Sequence, residues 1–189
     1  MSYLRKIEYR VVPDQSFDII YSCSGCGCKT NFKNTNRFRV NANGNKLDVW
    51  LIYQCSKCKH TKNLAIYERQ NPARIPPEEY QLFLANGEEL ALEYGTNYSF
   101  FRKNQVEVDN ENIFYHYENE KAEQELTFCE GDRIVIENPY SLRIRPEKIA
   151  AEVLKLSRSR IKKLLDAKKI VISQSDRSIE ITIYGLINA

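Results

Sequence analysis

The chain has 189 residues and a net charge of +3, and 42% of it is hydrophobic, an ordinary globular composition that suits one domain or two small ones. No apolar run approaches the roughly 20 residues that a membrane-spanning helix needs. The start, Met1-Ser2-Tyr3-Leu4-Arg5-Lys6, has basic residues with no apolar core behind them, so a secretory leader is not expected and the cytoplasm is the expected location.

Residues 1–74 carry 13 Lys/Arg against 5 Asp/Glu. From about 15 to 68 they read as β-rich. Phe38-Arg39-Val40 and Val49-Trp50-Leu51-Ile52-Tyr53 predict strands, with Asn43-Gly44 between them suited to a type I′ turn, and Leu64-Ala65-Ile66-Tyr67 predicts a third strand. Asn71-Pro72 through Pro76-Pro77 is punctuation, because proline lacks a donor and restricts its predecessor. A domain boundary is expected there.

Residues 75–140 carry 4 Lys/Arg against 15 Asp/Glu. Pro77 with Glu78-Glu79 predicts a helix start, and Tyr80, Phe83, Leu84, Leu90, Ala91 and Tyr94 keep a rough helical period to about residue 103. Asn86-Gly87 interrupts the run: Asn86 ends a first helix or caps a second one, with Glu89 at the capping-box position. Strands are expected at Val106 and Val108, at Ile113–Tyr117 and at Ile134–Ile136. The charged stretch Glu118–Glu125 predicts an exposed loop.

Residues 141–169 carry 10 Lys/Arg against 3 Asp/Glu. Pro146 opens a predicted helix with Ile149, Ala150, Val153 and Leu154 on one face, and Ser157 is a good N-cap for a second, carrying Ile161, Leu164 and Leu165. Ile170-Val171-Ile172 and Ile179–Tyr184 predict a hairpin around Ser175–Ser178. Two basic stretches around an acidic middle present a polyanion-facing surface if they lie side by side. A solvated surface with internal ion pairs is the plainer alternative.

The most informative pattern is Cys23-x2-Cys26, 28 further residues, then Cys55-x2-Cys58. A two-residue gap lets both thiolates of a turn face one point, and the hairpin between the pairs brings the turns together. Four thiolates make the closed tetrahedral shell that zinc accepts. Gly27 suits a turn in which backbone N–H groups approach sulfur. Cys28 in place of Cys26, His60 in place of Cys58, and iron in place of zinc are the alternatives. A redox Cys-x-x-Cys is disfavoured, because two pairs occur and neither lies at a strand-to-helix turn of a βαβ unit. A four-cysteine shell has no open position for substrate, so this metal is expected to hold the fold together.

Nothing else points to catalysis. There is no Gly-rich phosphate loop, zincin motif or nucleophile elbow. There are two histidines, His60 and His116, and His116 sits in a tyrosine-flanked predicted strand, where a structural role is expected. A non-enzymatic protein is expected, although a pair of carboxylates in the acidic middle stays open.

Arg145-Pro146-Glu147-Lys148-Ile149, followed by Leu156-Ser157-Arg158-Ser159-Arg160-Ile161-Lys162-Lys163-Leu164-Leu165, resembles the αL RNA-binding motif. That motif occurs in a small-subunit ribosomal protein, in pseudouridine synthases and in some tyrosyl-tRNA synthetases, as a helix-turn-helix leading into a β-hairpin. The sequence departs from it at Lys168, where the motif has glycine, at Ser173-Gln174, where it has Asn-Gly, and at Pro146-Glu147, where it has Leu-Asp. The resemblance implies that Arg145, Lys148, Arg158, Arg160, Lys162 and Lys163 contact RNA phosphates near a helix N-terminus. The N-terminal Arg5 and Lys6 lie outside both motifs and are expected to add little to RNA binding.

Over most of its length the chain resembles the bacterial family catalogued as domain of unknown function 1062. The likeness rests on Phe38-Arg39-Val40-Asn41-Ala42-Asn43, on Leu47–Cys55 and on Ser157-Arg158-Ser159. The family implies a zinc-ribbon-like N-terminus and brings no activity. The expected protein is therefore α+β, with a zinc ribbon over 1–74, a mixed acidic region over 75–140 and an αL-like basic module over 141–189. Its expected cofactor is zinc, through Cys23, Cys26, Cys55 and Cys58, and its expected partner is structured RNA, ribosomal or transfer. A ribbon that docks a protein partner is the alternative, and an enzyme comes third.

Overall fold

The structure, a computed structural model, describes residues 5–119, 127–175 and 177–187. The fold is α+β and divides into two compact units, one of Pro13–Phe114 and one of Met1–Val12 with Tyr115–Ala189. Compactness therefore partitions the chain differently from charge. The ribbon strands share a unit with the helices of the acidic middle, and the first strand joins the C-terminal helices and hairpin. Charge follows local sequence, whereas compact units follow strand pairing between distant segments. No described helix is long and apolar enough to cross a membrane.

The Pro13–Phe114 unit is built on a five-stranded sheet. Its strands are β2 (Ile19–Cys23), β3 (Cys28–Asn43), β4 (Lys46–Cys55), β5 (Thr61–Gln70) and β6 (Glu107–Val108), in the order β5-β4-β3-β2-β6. Strand β1 (Lys6–Pro13) belongs to the other sheet. In β4 the buried residues Leu47, Val49, Leu51, Tyr53 and Cys55 alternate with more exposed Asp48, Trp50, Ile52 and Gln54, the period-2 pattern of a strand with one covered face. The β3–β4 hairpin lies where the sequence predicts it, but Asn43 pairs with Lys46 and Gly44 alone has positive φ (61°). The two-residue loop is thus Gly44-Asn45, with the single left-handed residue of a type II′ turn rather than the two of type I′.

The predicted helical run over 77–103 is three short helices: α1 (Pro77–Ala85), α2 (Glu88–Gly95) and α3 (Tyr98–Lys103). Asn86 ends α1 in the left-handed conformation and does not cap α2, whose N-cap is Gly87. Its side-chain oxygen instead accepts the Phe38 N–H at 2.7 Å, joining helix end to strand. Asn97 caps α3 by accepting the N–H groups of Ser99 and Phe100. Phe83 of α1 packs edge-on against Phe38 at 5.0 Å, and Phe101 of α3 packs against Tyr53 at 6.2 Å. Such contacts stabilise by about 0.5–1.5 kcal/mol beyond their area burial. Tyr67 and Tyr94 both donate to the Glu79 carboxylate, at 3.0 and 2.7 Å.

In the second unit, β1 joins β7 (Tyr115–Glu118), β8 (Arg133–Glu137), β9 (Ile170–Gln174) and β10 (Ser178–Ile183), in the order β7-β1-β8-β10-β9. Strand β1 runs parallel to β8, pairing Ile7 with Ile134 and Tyr9 with Ile136. The sequence reading did not assign β1, although Ile7, Tyr9 and Val11 alternate. Helices α4 (Pro146–Val153) and α5 (Arg158–Asp166) and the β9–β10 hairpin fall where the sequence places them. Ser157 caps α5 by accepting the Arg160 N–H. Ile149, Ile161, Ile170 and Ile181 are all buried, and β10 pairs with β8 as well as with β9, so the hairpin continues the sheet of this unit. The predicted loop over Glu118–Glu125 falls largely on residues 120–126, outside those described.

Arg5 does not behave as an idle terminal charge. Its guanidinium donates through Nε and Nη2 to the two oxygens of Asp132, at 2.9 and 2.8 Å, and Nη2 also reaches the Thr127 carbonyl. The Asp132 side chain is fully buried. A fork of two parallel hydrogen bonds is the favourable geometry for an Arg–carboxylate pair.

Candidate functional site

Each cysteine pair sits in a turn between antiparallel strands. Cys23 ends β2 and Cys28 opens β3, so Cys23–Cys28 is one turn; Cys55 ends β4 and is followed by the second turn before β5. The turns share a backbone plan. Gly27 N–H donates to the Cys23 carbonyl at 2.8 Å, and Lys59 N–H donates to the Cys55 carbonyl at 3.1 Å. The residue after the second cysteine is left-handed in both, Gly27 at φ 67° and Lys59 at φ 66°. A Cβ on Gly25 would lie 3.0 Å from the Cys58 sulfur, so the first turn passes close against the second pair. Because β3 and β4 pair along their length, Phe32 opposite Cys55 sets the two turns at the same end of the sheet.

The result is a cluster in which the Sγ atoms of Cys23, Cys26, Cys55 and Cys58 all lie within 4.8 Å of one another. Cys23 and Cys58 sulfurs are 3.3 Å apart, and those of Cys26 and Cys55 are 3.9 Å apart. A tetrahedron of thiolates at the usual zinc–sulfur bond length has edges of about 3.8 Å. Cys23 and Cys55 are buried, Cys26 is intermediate and Cys58 is exposed. The N–H of Cys26 is directed to the Cys23 sulfur, and those of Lys57 and Cys58 to the Cys55 sulfur. The hydroxyl of buried Thr30 lies 3.2 Å from the same Cys55 sulfur.

Within the cluster Cys55 is driven one way and Cys23 and Cys26 the other. The Thr30 hydroxyl, followed by the backbone N–H groups, pulls the Cys55 thiol down to about 6 against the opposing effect of burial. The hydrogen bond to Cys58 pushes Cys26 up to about 12, and burial is the main cause that raises Cys23. A cation among the sulfurs removes the need for shared protons, since thiolates and not thiols bind metal. The four cysteines can therefore hold one metal ion. Cys28 is exposed and outside the cluster, and His60 accompanies the Ser24 hydroxyl at 3.0 Å rather than the sulfurs. Neither alternative ligand enters the set.

The six basic residues singled out in the sequence are less uniform. On α5 the apolar side is Ile161 and Leu164, buried, and Arg158, Lys162 and Lys163 are exposed on the other side. Arg145, the N-cap of α4, is also exposed. These four make no ion pair with any described residue. Lys148 is engaged: its ammonium lies 3.7 Å from Glu152 and 5.0 Å from the Tyr115 ring centre, and its pKa is raised first by a hydrogen bond to Tyr115. Arg160 is half-buried and donates to the Ile187 carbonyl at 3.3 Å. His116 is half-exposed on β7 beside Glu118, at 3.5 Å, while its neighbours Tyr115 and Tyr117 both donate to Glu152.

No curated protein and no solved structure matches the chain. One family does, described as protein of unknown function DUF1062, over residues 40–176. That span contains Cys55, Cys58 and both helices of the basic pair, and Cys23 and Cys26 precede it. With well over half of its length matched, the chain belongs to the DUF1062 family.

Proposed function

We propose that this protein is a non-enzymatic zinc-binding protein that binds structured RNA, ribosomal or transfer, through the exposed basic side of α5. Zinc is the metal that suits four thiolates with no other donor and no open coordination position. Its part is to fix the two turns, so that metal binding energy becomes folding energy for the strands that carry them.

The observation that carries the RNA reading is the exposure of Arg158, Lys162 and Lys163 on one side of α5, without ion-pair partners among the described residues. A cation that neutralises no described carboxylate is available to a phosphate. The order helix, turn, helix, hairpin agrees with the αL resemblance. So does Lys168, whose φ of 55° is the left-handed conformation that a glycine at that place in the motif supplies. Binding of the zinc-loaded protein to a structured RNA, measured against salt concentration, tests the reading. Phosphate contacts lose affinity steeply as salt rises, because neutralised phosphates release their counterions.

A further inference from the structure

A second concentration of positive charge lies on the Pro13–Phe114 unit, beside the second cysteine turn and remote in sequence from α5. A cleft of about 560 Å³ opens between β3, β4 and that turn, lined by Lys33, Arg37 and Lys59 together with Thr35, Ser56 and Thr61, and by no carboxylate. Its volume falls in the range of small-ligand sites. We propose that this cleft binds a phosphate group, carried either by a free nucleotide or by the backbone of a nucleic acid.

The cleft follows from two departures from regular sheet. The register of β3 against β4 shifts between Asn34 and Phe38, leaving Thr35, Asn36 and Arg37 outside the ladder. Asn36 takes φ 55°, its N–H is held by the Asn34 side chain at 2.9 Å, and the Thr35 hydroxyl donates to the Ile52 carbonyl at 2.8 Å. A bulge of this kind re-aims side chains and is enriched beside functional sites. Arg37 is thereby placed on the cleft and remains exposed. The second departure is the cysteine turn, whose Ser56 N–H donates to the Asn31 carbonyl at 2.9 Å, tying the turn to β3 and bringing Lys59 to the rim.

Charge then selects the ligand. Arg37 and Lys59 have no ion-pair partner among the described residues, and Lys33 has only Asp18 at 3.9 Å on a side chain that is 65% exposed. Three cations converging on one cavity repel one another unless an anion joins them. Arginine supplies a planar fork of donors matched to phosphate oxygens, lysines add point charges, and the hydroxyls of Ser56 and Thr61 add neutral donors. The cleft is distinct from the α5 face and stands or falls separately from it.

Lys59 also provides a clean variant. It holds the left-handed conformation that Gly27 fills in the first turn, so Lys59→Gly removes the cation while favouring the backbone. The experiment is amide chemical-shift mapping of the zinc-loaded full chain at low salt, titrated with adenosine monophosphate in one arm and a short uridylate oligonucleotide in the other. Saturable shifts are expected at 33–37 and 54–61. Saturation by the mononucleotide identifies a free phosphate ligand, and saturation by the oligonucleotide alone identifies a nucleic-acid backbone. Arg37→Ala with Lys59→Gly should weaken binding by about tenfold for each lost charged contact, with zinc content unchanged. Arg37→Lys, which keeps the charge and loses the fork, should bind more weakly than the parent and more tightly than Arg37→Ala, and Arg158→Ala with Lys162→Ala should leave these shifts in place. No saturable shift with either probe, or a double variant that binds like the parent, overturns the proposal.

Discussion

Thr30 sets its buried hydroxyl 3.2 Å from the sulfur of Cys55, from the neighbouring strand and across the sheet's covered face. The contact orients the Cys55 sulfur and favours its thiolate. Partners of this kind, outside the ligand set, tune a metal site as much as the ligands do. Thr30→Val keeps the shape and removes the donor. Metal affinity, measured by competition with a chromophoric chelator, should fall by about 10–100-fold. Unchanged affinity would show that the hydroxyl contributes only packing.

The ligand assignment separates the cysteines sharply. Cys58→Ser removes one of four sulfurs within 4.8 Å and should lower the thermal midpoint of the Pro13–Phe114 unit strongly, since metal energy is folding energy. Cys28→Ser and Cys129→Ser alter exposed thiols outside the cluster and should stay within about 0.5 kcal/mol of the parent. Equal losses for Cys28 and Cys58 would mean that the ligand set is wrong.

Arg5 gives a prediction about stability, separate from RNA binding. Arg5→Ala strips a fully buried Asp132 carboxylate of its forked partner. Part of the guanidinium is exposed, so water moderates the loss, and about 2–3 kcal/mol of destabilisation is expected in urea unfolding. Lys6→Ala, which breaks only the exposed pair with Glu8, should cost less than about 1 kcal/mol. A neutral Arg5→Ala would contradict the role assigned to this clamp.

The features that sequence revealed are the local ones. The four clustered cysteines lie in two short turns, so their spacing alone picks them out, and Pro146 and Ser157 mark helix starts within a single turn of chain. What stayed hidden depends on distant partners. Strand β1 is held by β8, and the Arg5–Asp132 contact spans 127 positions. Lys148 reads as a free cation until Tyr115 and Glu152 are found beside it. Lys33, Arg37 and Lys59 are scattered in sequence and are gathered only by a bulge and a turn. The three-way break of the helical run is half legible: Asn86-Gly87 marks the first break in the sequence, whereas the Asn97 cap emerges only in the structure.

For the RNA reading, Arg158 and Lys162 are the decisive pair, one turn apart on the exposed side of α5. Changing both to Ala should weaken RNA binding and reduce the salt slope by about 2, roughly 1 for each lost phosphate contact. Lys148→Ala should have a smaller effect on the slope, because Lys148 already serves Glu152 and Tyr115. If the parent protein shows no RNA affinity at low salt, the basic side of α5 is only a solvated surface.

Cys23, Cys26, Cys55 and Cys58 are proposed to enclose one zinc ion. Elemental analysis of the protein purified without chelator tests it directly, with the Cys26→Ser variant alongside. One zinc per chain is expected in the parent, together with a marked loss in the variant and unfolding of the ribbon strands when a strong chelator strips the metal. A parent protein that carries no metal and keeps its fold would contradict the account.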